Sequence, residues 1–118
     1  MKILMINPNR IKPPLVPIGL LYISSYLKEN GHSVDIADLC FEEDVEKRIL
    51  GISGLTNYDF LGISIRNIDT TQRNQPDFLL PQVVNIIKAI REVCGNKKIV
   101  LGGAGFSIEP ISIMNLYD

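Results

Sequence analysis

The chain has no tryptophan, one histidine and two cysteines in 118 residues. Cys40 and Cys94 stand 54 positions apart, and no C-x-x-C or H-x-x-x-H occurs. Zinc sites want four ligands, commonly as paired short spacings, so no metal site built from protein side chains is expected. Long apolar runs are missing as well. The start carries only Ile3 to Ile6 before Asn7-Pro8 breaks it, too little for a secretory core, and nothing approaches the roughly 20 apolar residues of a membrane span. A cytoplasmic location with reduced thiols and no membrane partner is therefore expected. Nor is there an excess of either charge. Twelve Lys and Arg face 13 Asp and Glu, and the basic residues are scattered, whereas a surface that tracks phosphates needs them clustered. No nucleic-acid partner is expected.

What the chain does have is enough apolar residue, 46% hydrophobic against 21% charged, to bury one core. Its length suits one domain. Lys2 to Ile6 has the length and composition of a buried strand, stopped at Asn7-Pro8 because proline cannot donate to a ladder. The next ten residues hold Pro8, Pro13 and Pro14 among polar side chains, with Pro17 just beyond, and read as a loop. Pro17 suits a first helical turn. Leu20, Leu21, Ile23, Tyr26 and Leu27 then recur at helical spacing, and Asn30-Gly31 ends a helix over 17–30. Val34 to Ala37 is a second strand closing at Asp38. Residues 42–50 carry acids first and bases last, matching a helix dipole, and Gly51 and Gly54 end that helix. Phe60 to Ile65 is a third strand, and Arg66 to Asp77 a polar loop. Val83, Ile86, Ile87, Ile90 and Val93 mark a helix over 78–94, with Gly95 as cap. Ile99 to Leu101 is a fourth strand, running into a glycine-rich turn, and Glu109 to Asp118 is helical.

Short apolar strands alternating with amphipathic helices imply a parallel sheet joined by right-handed crossovers. The expected class is three-layer α/β, Rossmann-like or flavodoxin-like, with four to five strands flanked by helices. Ligands of such sheets bind over the carboxyl ends of the strands. Three loops fall there: Asn7 to Val16, Ser64 to Asp77, and Gly102 to Ser107. A dinucleotide site would need G-x-G-x-x-G after the first strand, but that turn contains no glycine. A flavin-phosphate loop would be rich in Ser and Thr, and a phospho-acceptor would place acids where Asn7 and Ser64 stand. Gly102-Gly103-Ala104-Gly105 has two readings: a tight turn, or backbone bared for close approach by something large and flat. Ser64 reads as a turn or cap residue or as a ligand contact. Arg66 and Arg73 read as solvated loop residues or as a grip on phosphate or carboxylate. His32, after the first helix, reads as a surface or capping residue.

Pro17-Ile18-Gly19-Leu20-Leu21-Tyr22, Tyr26-Leu27 and Gly31-His32-Ser33-Val34 to Asp38 resemble the opening of the cobalamin-binding N-terminal domain of cobalamin-dependent radical S-adenosylmethionine enzymes. Asp59-Phe60-Leu61-Gly62-Ile63-Ser64 and Leu101-Gly102-Gly103-Ala104-Gly105-Phe106-Ser107 are similar to that family's third strand and its post-strand glycine pair. The anaerobic magnesium-protoporphyrin IX monomethyl ester oxidative cyclases are among its members. The resemblance implies a cobalamin with its corrin over the strand ends and its nucleotide tail among the loops. Asn7, Pro8, Asn9 and Pro17 would border the corrin, with Gly19 at the helix start. Ser64 would meet the tail, with Arg66 and Asn67 beside it and the loop to Gln75 near them. Gly102 and Gly103 would let the tail pass, followed by Ala104, Gly105 and Phe106.

The broader fold family carries D-x-H-x-x-G after the first strand, its histidine binding cobalt from below. Asn7, Asn9 and Lys12 occupy those positions here, so cobalamin without a histidine ligand is expected. The C-x-x-x-C-x-x-C cluster motif is absent too. By resemblance, residues 1–118 are therefore a non-catalytic N-terminal fragment of a longer protein, a methyltransferase or oxidative cyclase, lacking the domain's last strand and helix. The 4Fe-4S cluster and S-adenosylmethionine would belong to a downstream barrel. The fourth strand would expose an edge that invites a homodimer. The alternative is a cofactor-free α/β docking domain, for which a bulky residue at Gly103 would alter partner affinity without altering cobalamin uptake.

Overall fold

The computed structural model describes residues 1–69 and 78–117. Four strands form one all-parallel sheet: β1 (Lys2–Asn7), β2 (Ser33–Asp38), β3 (Phe60–Ser64) and β4 (Lys98–Gly102), in the order β2-β1-β3-β4. Each crossover carries helix: α1 (Ile18–Glu29), then α2 (Val45–Leu50) with a 3-10 turn at Leu55–Asn57, then α3 (Leu80–Cys94). Two short helices follow β4, α4 (Ala104–Ile108) and α5 (Pro110–Asn115). The expected α/β class stands. Among the described residues no helix is long and apolar enough to cross a membrane, and both cysteines are free thiols.

The strand period of two splits the core between two unequal faces. Leu4, Ile6, Leu61 and Ile63 point toward α2 and α3, where they pack with Val45, Ile49, Val83, Ile86 and Ile90. Ile3, Met5 and Val34 point the other way and meet only Leu20 of α1, with Leu27 and Phe60 half-buried beside them. Only Leu20 and Ser24 of α1 are buried, while Ile18, Tyr22 and Tyr26 are 72%, 77% and 62% exposed. The periodic residues of α1 therefore do not form the single buried face that their spacing suggested, since Ile23 and Tyr26 stay outside. One helix cannot cover a four-stranded face, and the uncovered part lies between α1 and β4.

Two elements depart from the expectations. The charged helix starts at Val45 rather than residue 42, because Asp44 Oδ1 accepts the Lys47 N–H at 2.9 Å and caps it there. The glycine-rich segment is no mere turn: Gly103, at φ +99°, caps α4, which its glycine content argues against. Arg73, Gln75 and Asp118 lie outside the described residues.

At the opposite end of the sheet Tyr58, 5% exposed, donates its hydroxyl to Asp35 Oδ2 at 2.8 Å, with Lys2 Nζ 4.6 Å from its ring. Burial first, then the hydrogen bond and charge of Asp35, push the phenol up from 10.0 to about 12. A group whose folded pKa is raised gives stability that is complete below the unfolded pKa and is lost as pH rises through the folded one. The protein should therefore lose stability between pH 10 and 12 more steeply than Tyr58→Phe, read from urea midpoints. Parallel curves would contradict the assignment.

Candidate functional site

The uncovered strip forms a cavity of about 540 Å³ between α1 and the sheet, open at the carboxyl ends of the strands. That volume lies in the range of small-molecule sites. Its floor is set by alternation. Met5, Gly62 and Val100 face it along β1, β3 and β4, and Ile23 and Leu27 of α1 form a wall. A Cβ on Gly62 would come within 2.6 Å of Met5 Sδ, so glycine there lets the thioether lie flat across β3. None of these five residues was singled out from sequence as part of a site. The signal that could have found them is Gly62, a glycine inside an otherwise apolar strand.

The loop after β1 is fastened from its first residue. Asn7 is 3% exposed; its Nδ2 donates to Asp38 Oδ1 at 2.9 Å and its Oδ1 accepts the Asn9 N–H at 3.2 Å. Asn9 Oδ1 in turn accepts the Ile11 N–H at 3.0 Å. Gln82 of α3 donates Nε2 to the Pro8 carbonyl at 2.6 Å. Asn7 and Asn9 thus line the cavity while also serving as scaffold, and buried Pro8 is wholly scaffold. Farther on, Leu15, Val16 and Pro17 complete the rim, and Gly19 opens α1 beside them.

On the other side Ser64, at the end of β3, lines the cavity with its hydroxyl unbonded among the described residues. Arg66 lines it as well, exposed and without an acidic partner there. The glycines divide by role. A Cβ on Gly102 would meet nothing within 4 Å, so its bare backbone faces open space. A Cβ on Gly103 would fall 2.5 Å from the Ile65 carbonyl oxygen, and one on Gly105 3.0 Å from the same atom. Gly103 lines the cavity with Ala104, but both it and Gly105 are glycine because the chain itself passes there. The structure does not bring Pro8, Asn67, Gly105 or Phe106 to the cavity lining, and Phe106 packs on the main core instead.

Among the described lining residues Arg66 is the only ionisable group. None of these described residues offers a carboxylate, thiol or imidazole for acid–base or nucleophilic work. Among the described residues, too, no three His, Cys, Asp or Glu side chains gather as metal ligands. His32 lies at the opposite end of the sheet, its Nδ1 3.4 Å from the amino terminus. What the cavity offers is an apolar slot edged by hydroxyl, amide and bare backbone.

Comparison with known proteins places this geometry. A family model described as "B12 binding domain" matches residues 9–117. The chain is 27% identical over 114 residues to a tryptophan 2-C-methyltransferase of Streptomyces laurentii, a match covering 96% of this chain and 19% of that protein. It superposes on the radical S-adenosylmethionine methyltransferase TsrM from Kitasatospora setae with tryptophan substrate and the analogue aza-SAM bound. There the TM-score is 0.83 at 26% identity, covering 98% of this chain and 21% of the other. Against TsrM with cobalamin and a 4Fe-4S cluster bound, the TM-score is 0.80 at 27% identity, covering 98% and 20%. The chain spans about a fifth of the length of these relatives.

The division among the glycines has opposite consequences for substitution. Gly103→Ala should cost about 1–3 kcal/mol, because it combines positive φ with a clash against backbone. Gly102→Ala should stay within about 1 kcal/mol of the parent, since the added methyl meets nothing. Urea denaturation of the two variants separates the cases, and equal losses would refute the division.

Proposed function

The chain belongs to the B12-binding domain family, and on that premise we propose that it holds cobalamin over the carboxyl ends of its strands, without a histidine beneath the cobalt, as the accessory domain of a radical S-adenosylmethionine methyltransferase. The observation that carries the reading is the apolar cavity between α1 and the sheet, open at Ser64 and Gly102 and, among the described residues, lined by no histidine or carboxylate. The residues fit the group. A corrinoid presents an apolar plane and neutral amide side chains, which suit backbone, Asn9 and a free hydroxyl better than a charged pocket.

In this reading Ser64 offers its hydroxyl to the nucleotide tail, and Gly102 lets the tail lie against backbone. Leu15, Val16 and Pro17 border the corrin, and Arg66 stands at the mouth as a donor. Bound cobalamin would supply a cobalt able to carry a methyl group. Methyl transfer is preferred to oxidative cyclisation because the matched relatives bear methyltransferase names. The 4Fe-4S cluster and S-adenosylmethionine belong to a barrel elsewhere in the same polypeptide. The open edge of β4 is taken as the seat of a further strand of that polypeptide rather than of a second copy. The setting is cytoplasmic, where the two thiols remain reduced.

Hydroxocobalamin mixed with the protein should co-elute with it in gel filtration, monitored by visible absorption. His32→Ala should leave the spectrum of the bound form unchanged, whereas Gly102→Leu should abolish uptake in a protein that stays folded. Nitrogen coordination that vanishes in His32→Ala would overturn the ligation reading. No uptake at micromolar protein would favour the cofactor-free docking domain. Gly103 is a poor probe for that choice, because a side chain there strikes the Ile65 carbonyl before it meets any ligand.

A further inference from the structure

Phe41 is 75% exposed on the connection between β2 and α2 and joins neither core cluster. Among the described residues its ring is met by Lys12, whose Nζ stands 4.4 Å from the ring centroid. The same ammonium donates to the Cys40 carbonyl at 3.1 Å. Cys40 is itself a fixed point: it is buried, and its N–H donates at 3.1 Å to Asp38 Oδ1, the atom that also receives Asn7 Nδ2. Glu42, the nearest acid in sequence, is engaged elsewhere, with Arg48 at 3.2 Å.

The loop that Lys12 belongs to is tied firmly at both ends and sparsely between. Asn7, Pro8 and Asn9 are bonded to the scaffold at its start, and Val16 accepts the Ile18 N–H at 2.9 Å where α1 begins. Between Arg10 and Val16, among the described residues, the side-chain hydrogen bonds are the Ile11 N–H to Asn9 Oδ1, local to the loop's start, and the Lys12 ammonium to Cys40, the one that reaches another element. That stretch carries Leu15 and Val16, which form the rim of the cavity.

We propose that Lys12 is a positioning residue of the cobalamin site. Through the Cys40 carbonyl and the Phe41 face it latches the middle of the proline-rich loop to the segment that leaves β2, and so fixes the Leu15–Val16 rim. This rests on the cobalamin reading above. Without the latch, the residues between the two tied ends recover conformational freedom, and the rim must be ordered anew at each binding event. Position 12, where the D-x-H-x-x-G pattern has its glycine, has no such role in that pattern.

The test has two arms, one without ligand. In the free protein, Lys12→Met should broaden or shift the Leu15 and Val16 methyl resonances and leave those of Leu61 and Ile86 in place. In the loaded protein it should raise the hydroxocobalamin dissociation rate about tenfold, the combined size of one exposed cation–π contact and one hydrogen bond. Lys12→Arg should restore most of the difference. Phe41→Leu should raise the rate by a smaller factor and add little to Lys12→Met, because the two act through one contact. Unmoved methyl resonances in Lys12→Met, or effects of Lys12→Met and Phe41→Leu that simply multiply, would overturn the latch. Failure of the parent protein to take up hydroxocobalamin would overturn the cobalamin reading, and the methyl resonances would still decide whether the latch exists.

Discussion

The Ile65 peptide holds the two chain segments that leave β3 and β4. Its N–H donates to the Gly102 carbonyl at 2.7 Å, and its carbonyl accepts the Gly105 N–H at 2.9 Å. The second bond brings the backbone at Gly103 closer than any Cβ allows and leaves a Cβ at Gly105 only a tight 3.0 Å from the same carbonyl, so glycine is demanded at the first position and favoured at the second. With that contact made, Gly103 turns the chain out of β4 and starts α4 over the end of β3. Ser64 and Gly102, paired in register, are left side by side at the mouth of the cavity. The same contact thus sets the exit of two strands and presents the two groups that sequence patterning singled out.

The legible parts of the fold were those governed by local chemistry. The strand runs around Ile3 and Ile63, and the α3 stripe of Val83, Ile86, Ile87 and Ile90, bury the residues that their patterning marks. Helix α4 was hidden because its reason lies in the Ile65 carbonyl, which no pattern within residues 102–108 encodes. The site was legible at its rim and not in its body. Ser64, Gly102 and the proline-rich loop announce themselves by breaking the pattern at strand ends. Met5, Val100 and Ile23 look like ordinary core residues. They face a cavity only because α1 leaves part of its sheet face uncovered, a property of area that periodicity does not carry.

Asparagine and glutamine do in the first loop what glycine does in the last. Asn7 spans β1 and β2 through Asp38, and Gln82 reaches from α3 to Pro8. A loop that cannot pair its backbone regularly is thus held by side chains from three elements. Its neutral amides do this without placing a charge at the cavity, whose described lining keeps Arg66 as its only ion.

The two faces of the sheet also differ in how they can open. Toward α2 and α3 the apolar side chains form one large interlocked cluster, and any local excursion there exposes much of it to water. Toward α1 only a handful of side chains meet. Detaching that helix exposes little new apolar surface, because most of its residues are in water already. Amide exchange in α1 is therefore governed by partial opening, well short of global unfolding. Of the two layers that cover the sheet, the wall of the cavity is the more lightly held, so a bulky planar guest can be admitted by tilting one helix while the opposite face stays closed.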